Sequence, residues 1–295
     1  MDQFSISQLA QFSGIKPHTI RMWEQRYNAL QPNRTEGNTR YYDNTQLRRL
    51  LNIVSLMQGD YKVSELCNMS DKILYRLIAE FNKNSEIAQS DEYIISQLIA
   101  AGMSYDEAYF DKTFSHCLLK YQMKETYSKV IYPMLVRMGL MWTSDTLPPA
   151  HEHFMSNLIR QKLCTAIDSL PPPTLTSDSW LLFLPENEFH EIGLLFAHYQ
   201  LRCSGKKVIY LGSNVPVESA SKAVRQILPA NILLFLVHHD LAENVQPYLD
   251  KLSVHASSKK IFVAGTEKIT GQLKAGKKIR FLNSYEDLEQ YFISV

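Results

Sequence analysis

With 295 residues and 45% hydrophobic content, the chain can bury two or three separate cores, which excludes a disordered protein. A formal net charge of +1 excludes any global attraction to nucleic acid, so basic surface has to be concentrated locally. Four cysteines, Cys67, Cys117, Cys164 and Cys203, stand far apart with no C-x-x-C pair; they argue against a disulfide framework or a zinc knuckle and read as buried thiols in a reducing compartment.

The opening residues MDQFSISQLA hold neither a basic nor an apolar leader region, and no apolar run approaches membrane-spanning length. A cytoplasmic protein without membrane contact is expected. The stretch SISQLAQFSGIKPHTIRMWEQRY predicts two short helices, Ser5–Ser13 and about Pro17–Tyr27, because Gly14 can take the left-handed conformation that ends the first and Pro17 suits the first turn of the second. This is helix-turn-helix spacing. On the second helix His18, Thr19, Arg21, Met22, Gln25 and Arg26 can face outward while Ile20 and Trp23 face inward. Between Lys16 and Arg40 the basic residues are Lys16, Arg21, Arg26, Arg34 and Arg40 against Glu24 and Glu36 alone. Spacing and charge are compatible with a solvated face as well as with a duplex.

The motifs go further. The patterns G-[IV]-x-x-x-T-[IL]-R-x-[WY]-E, Y-x-x-L-x-P-x-R and R-x-Y all occur between Phe4 and Asp43, and over these forty or so residues the chain resembles the DNA-binding domain of the MerR family. The resemblance implies a winged helix-turn-helix whose second helix enters the major groove of a double-stranded DNA operator. It assigns Thr19, Arg21 and Arg26 to the helix contact and Arg34, Arg40 and Tyr41 to phosphates or groove edges, with Lys16 and His18 completing the DNA-binding set. Tyr42 is expected to pack the wing.

Beyond the polar break NKNSEIAQSD, helical periodicity starts with Ile94, Ile95, Leu98 and Ile99 and continues through YSKVIYPMLVRMGLMW, enough for a helical bundle. No sustained heptad follows the reader, so dimerisation through a long coiled coil is excluded. At 171–174 PPPT stops helix and central strand alike, and a new domain begins.

From Trp180 the runs WLLFLP, KVIYLG, NILLFLVHH, KIFVAG and IRFLNS alternate with helical segments near 188–204, 217–228, 242–253 and 285–293. Continuous apolar runs separated by crossover helices predict a flavodoxin-like, doubly wound sheet of five parallel strands, with ligands outside the carboxyl ends of the strands. PENEFHEIGLLF lies there, after the first strand. A lone histidine near a helix start is ordinarily a cap or surface residue. Here Glu188 stands two residues before His190, as the carboxylates that orient metal-bound imidazoles do, and Gly193 lets a bulky group approach the backbone.

Glu188-x-His190-x-x-Gly193 resembles the D/E-x-H-x-x-G signature of cobalamin-binding domains. That likeness implies His190 as the lower ligand of cobalt, displacing the cofactor's own base, with Gly265 near the buried nucleotide tail. Two positions depart from the pattern: Phe235-Leu236-Val237 stands for S-x-L, and Ala264-Gly265 for G-G. In the bundle, Trp142 is followed after nine residues by Glu152-His153, and this resembles the CarH/LitR family of light-sensing cobalamin regulators. There the tryptophan packs against the upper adenosyl group and the Glu-His pair lies beside it. Thr143 replaces a histidine often found after that tryptophan.

The expected architecture is multidomain α and α/β: a winged helix-turn-helix over 1–81, a four-helix bundle cap over 82–171 and a Rossmann-like cobalamin-binding domain over 175–295. The expected function, which the resemblance implies, is a transcriptional repressor that is not an enzyme. Its homo-oligomeric state, dimer or tetramer, would respond to adenosylcobalamin and light. The alternatives are a cofactor-free regulator whose C-terminal domains meet a protein antirepressor and, less favoured, a corrinoid enzyme subunit.

Overall fold

A computed structural model describes residues 3–35, 37–57, 61–84, 90–142, 148–237, 242–256, 260–274, 276 and 278–293. The chain forms two compact units, Met1–Leu158 and Ile159–Val295.

The first unit opens with α1 (Ile6–Ser13), whose N-terminus is closed by a capping box between Ser5 and Gln8 and whose C-cap, Gly14, is left-handed at φ +70°. Helix α2 (Pro17–Tyr27) starts on a proline at its first turn and ends at Asn28, also left-handed. A two-stranded wing follows, β1 (Asn33–Arg34) antiparallel to β2 (Arg40–Tyr41). Then come α3 (Asn44–Leu56), capped by the Asp43 side chain, α4 (Val63–Asn68) and α5 (Asp71–Asn84).

Helix α6 (Asp91–Met103) is buried at every position from Tyr93 to Met103. A helix apolar on all sides has to be enclosed, and α6 packs against both α3 of the reader and α7 (Glu107–Thr126) of the bundle. Its one long polar side chain inside, Gln97, is satisfied from both directions. Its Nε2 donates to Ser55 Oγ at 2.8 Å and its Oε1 accepts from Tyr109 Oη at 2.8 Å. The bundle continues through a π-helical turn, Tyr127–Ile131, to α8 (Tyr132–Trp142) and α9 (Pro149–Asp168). Arg137 of α8 grips Glu92 of α6 with both guanidinium arms, at 2.8 and 2.5 Å, beside the Gly14 turn. The reader and the helices of the bundle thus share one core.

The second unit is a five-stranded, wholly parallel sheet built from β3 (Leu175–Pro185), β4 (Lys206–Val215), β5 (Asn231–Leu236), β6 (Lys260–Gly265) and β7 (Ile279–Leu282). The order is β4-β3-β5-β6-β7, so the winding reverses beside β3. Helices α11 (Val217–Ile227) and α12 (Ala242–His255) supply Ala220, Val224, Leu249 and Leu252 to the core on one face. Helix α10 (Ile192–Cys203), with Leu194, Ala197 and Leu201, and α14 (Tyr285–Ile293) cover the other. A short helix, α13 (Glu267–Thr270), lies between β6 and β7.

Four details depart from the sequence reading. Strand β3 begins at Leu175, directly after the prolines, rather than at Trp180. Helix α10 starts at Ile192 rather than near 188, because the Glu188 side chain binds the amides of Phe189 and His190 and holds them out of a helical turn. Strand β5 ends at Leu236, and the remainder of the expected run, His238 and His239, lies outside the described residues. Cys67 and Cys117 are buried thiols, with Cys67 pushed up to about 11 by burial, but Cys164 and Cys203 sit on exposed helix faces. No helix among the described residues is long and apolar enough to cross a membrane.

Arg49 fixes the exit of α2 to the helices behind it. Its guanidinium donates to Ala29 O (2.6 Å), Asp71 Oδ1 (2.6 Å), Cys67 O (2.7 Å) and Met69 O (2.9 Å). Arg49→Ala should therefore destabilise the first unit by about 2–3 kcal/mol, since the carbonyls lose charged donors in a partly buried site. Urea unfolding measures this, and Arg49→Lys should restore only part because an ammonium cannot span the same fork.

Candidate functional site

Two sets of residues carry chemistry, one in each unit. In the first, Lys16, His18, Arg21 and Arg26 are exposed along α2 and its entry, Thr19 is half-buried, and Ile20 and Trp23 point into the core. No side chain caps the start of α2 and no acidic residue occupies its first turn, so its amide ends and the basic side chains present one positive surface.

The wing reinforces this. Arg34 and Arg40 are register partners across β1 and β2, both exposed. Like charges directly opposite on a two-stranded ribbon repel, and an anion between them relieves the repulsion. Arg34 is steered by Asn38, whose Oδ1 accepts from its Nη1 at 2.6 Å. Tyr41 is half-buried beside it. Tyr42 is fully buried: its backbone pairs with Phe4, and its hydroxyl donates to Glu24 of α2, which with burial pushes the phenol far up. The wing is thereby tied to the helix whose exposed face it flanks.

In the second unit, Glu188 and His190 occupy the turn after β3, at the carboxyl edge of the sheet where the winding reverses. Glu188 has no exposed surface, and its carboxylate is enclosed by donors. Oε1 accepts from the amides of Phe189 (2.9 Å) and His190 (3.0 Å) and faces His190 Nδ1 at 2.7 Å, while Oε2 accepts from the amide of Val237 at 2.8 Å. An ionised carboxylate only accepts, so Nδ1 is the donor to it, and in the neutral ring Nε2 then carries the lone pair that a metal needs. The imidazole is 45% exposed, enough to meet a large ligand.

Two residues absent from the sequence reading brace this turn. Asn187 and Asn214 are both left-handed, at φ 66° and 56°. The Asn187 amide donates to Asn214 Oδ1 (2.9 Å) and the Asn214 amide to Glu188 O (3.0 Å). Asparagine tolerates this conformation better than other side-chain residues, the one local signal that could have found them.

The neighbouring glycines meet protein atoms. A Cβ at Gly193 would lie 2.9 and 3.0 Å from the ring of Phe235, and one at Gly265 would lie 2.8 Å from the Leu236 carbonyl. Phe235 and Ala264 are register partners on β5 and β6 and belong to the layer under α10. In the bundle, Glu152 Oε2 faces His153 Nδ1 at 2.7 Å and its Oε1 accepts from Ser156 at 2.5 Å. His153 is 69% exposed, whereas His151 is buried and stacked on Tyr105 with ring centres 4.4 Å apart. Trp142 is the last residue of α8; its side chain, and Thr143, lie outside the described residues.

The donor set fits a corrinoid in one respect and not in another. Among the described residues no group of three or more His, Cys, Asp and Glu side chains comes together, as a bare metal ion would require. A metal that arrives in a macrocycle needs one axial imidazole, and His190 with Glu188 behind it can supply that. The space beside Gly193, however, is taken by the Phe235 ring.

Comparison with known proteins bears on both sets. Residues 4–72 match the family described as MerR HTH family regulatory protein, and residues 94–165, the helical bundle, match the family described as B12 binding domain. With the basic face of α2, these matches support a DNA-binding regulator that carries a B12-binding domain. The chain is homologous to two HTH-type transcriptional repressors of Myxococcus xanthus, CarH and CarA. It is 28% identical to CarH, covering 84% of both chains, and 27% identical to CarA, covering 83% of this chain and 80% of that one. The monomethylamine corrinoid protein of Methanosarcina barkeri shares the fold of its whole length with 70% of this chain, at a TM-score of 0.51 and 13% identity.

Arg21→Ala should weaken operator binding by about 1–3 kcal/mol and relax specificity, as loss of a base-edge contact does. Arg34→Ala should weaken operator and random DNA alike and reduce the salt dependence of binding by about one unit of slope, because phosphates carry no sequence. Titration of labelled operator and scrambled duplexes at several salt concentrations separates the two.

Proposed function

We propose that the chain is a cytoplasmic transcriptional repressor whose grip on a double-stranded DNA operator is set by its homo-oligomeric state, dimer or tetramer, and that adenosylcobalamin and light control that state. Residues 1–81 would read DNA, 82–171 would serve as the cofactor's cap, and 175–295 would hold its lower face. The observation that carries the reading is the Glu188–His190 pair, a buried carboxylate orienting a half-exposed imidazole at the ligand-binding edge of the sheet. The similarity to CarH and CarA, both transcriptional repressors, supports the regulatory half.

In this reading His190 would hold the cobalt with Glu188 fixing its tautomer, and Gly193 and Gly265 would shape the sheet edge around the cofactor. Trp142, Glu152 and His153 are assigned to the upper ligand: the indole excludes water, and the Glu152 carboxylate accepts from ribose hydroxyls. Adenosylcobalamin, when bound, supplies a cobalt–carbon bond that light breaks. Trp142 and Glu152 would be ordered by that upper ligand, and the assembly they favour would depend on its presence. A ligand shifts such an equilibrium only by its differential affinity for the two arrangements. Linking several readers in one oligomer raises operator affinity by orders of magnitude without a new contact, so dissociation is sufficient to release DNA.

A second reading has one observation in its favour. The Phe235 ring against Gly193 suits a cofactor-free domain that serves as a surface for a protein antirepressor. Sedimentation distinguishes the two. With adenosylcobalamin in the dark the first reading expects a larger species that disappears after green light, is absent with methylcobalamin, and does not form with His190→Ala. Identical profiles in all samples with no cofactor retained would favour the antirepressor surface.

A further inference from the structure

Gly193 on α10 faces the ring of Phe235 on β5 across the layer between helix and sheet. The Phe235 ring stands against the glycine so closely that even a methyl there would overlap it, at 2.9 Å from Cε1. Beneath, Leu194, Ala197, Leu233, Phe262, Ala264 and Leu282 are buried and fill the layer. A flexible chain passing down beside Gly193 would have to expel an aromatic ring from this layer and expose it to water. A serine at position 235 would leave that volume open and offer a hydroxyl.

We propose that Phe235 is a plug that determines which corrinoids this chain accepts: it takes the macrocycle through His190 and leaves the nucleotide loop outside. The proposal rests on the reading of His190 as the cobalt ligand. Its consequence follows from competition. In a complete cobalamin the loop's own base holds the cobalt, so His190 has to displace it, and the displaced loop then finds no slot to recover what was lost. A corrinoid without the loop, such as cobinamide, presents no competing base. A complete cobalamin, adenosylcobalamin included, still binds through His190, but less tightly than a corrinoid that lacks the lower base.

The test is equilibrium dialysis of the full chain, in the dark, against aquocobalamin and diaquocobinamide, with the visible spectrum reporting imidazole on cobalt. Wild type should bind cobinamide at least about ten-fold more tightly than cobalamin, a difference of about 1.4 kcal/mol. Phe235→Ser should shift the ratio toward cobalamin by a similar factor, while Phe235→Leu, which keeps the volume apolar, should stay near wild type. A wild-type preference for cobalamin overturns the plug, as does a ratio that Phe235→Ser leaves unchanged; His190 would stand in both cases. Failure of wild type and variants to bind either corrinoid would overturn the reading of His190 and the plug together.

Discussion

The carboxylate of Glu188 is the constraint on which the sheet edge depends. It comes from the turn after β3, accepts from an amide just past β5, and its backbone carbonyl accepts from Asn214 at the end of β4. Three strand ends are joined through one residue that has no contact with solvent. A buried carboxylate is tolerable only when its lone pairs are met, and here three amides and an imidazole meet them. The same bonds stop α10 from starting earlier and hold the His190 ring in one tautomer. Orientation of the imidazole is therefore a by-product of satisfying the glutamate, so the site does not depend on a mobile loop to form.

The first unit is organised by a different constraint. Because α6 is buried at every position from Tyr93 to Met103, it cannot sit at a surface, and it is covered by α3 from the reader as well as by the bundle. Gln97 marks the seam: it bonds Ser55 on one side and Tyr109 on the other, so the two halves are in register through hydrogen bonds as well as by shape. Docking leaves the basic face of α2 exposed. The reader is attached to the bundle by its back, and a displacement of α6 or α8 would be felt at the Gly14 turn through Glu92 and Arg137.

Much of this was legible from the sequence, for identifiable reasons. The two reader helices, with Gly14 and Pro17 at their junction, are local features, and so is the alternation of apolar runs with crossover helices that specifies five parallel strands. Glu188 and His190 could be paired because they are two residues apart. What could not be read depends on distance in the chain. The amide of Val237 and the side chain of Asn214 reach Glu188 and Asn187 only after the sheet has assembled. NILLFLVHH is apolar almost throughout, so no period-2 pattern indicates on which face Phe235 lies, and its encounter with Gly193 is invisible before folding. The start of α10 was misplaced for a related reason: helix propensity does not register a side chain that competes for its own following amides.

The shared core of the first unit also bears on the order in which the chain can fold as it is made. Helix α3 ends at Leu56 and its covering partner α6 ends at Met103, 47 residues later. At about 5–20 residues per second, the interval between them lasts several seconds. During that time the side of α3 that α6 will cover is open, with only α1, α4 and α5 packed on the helix. The nascent reader is thus an incomplete domain on the ribosome. Until α6 has emerged that side stays uncovered, and the bond from Gln97 to Ser55 cannot form.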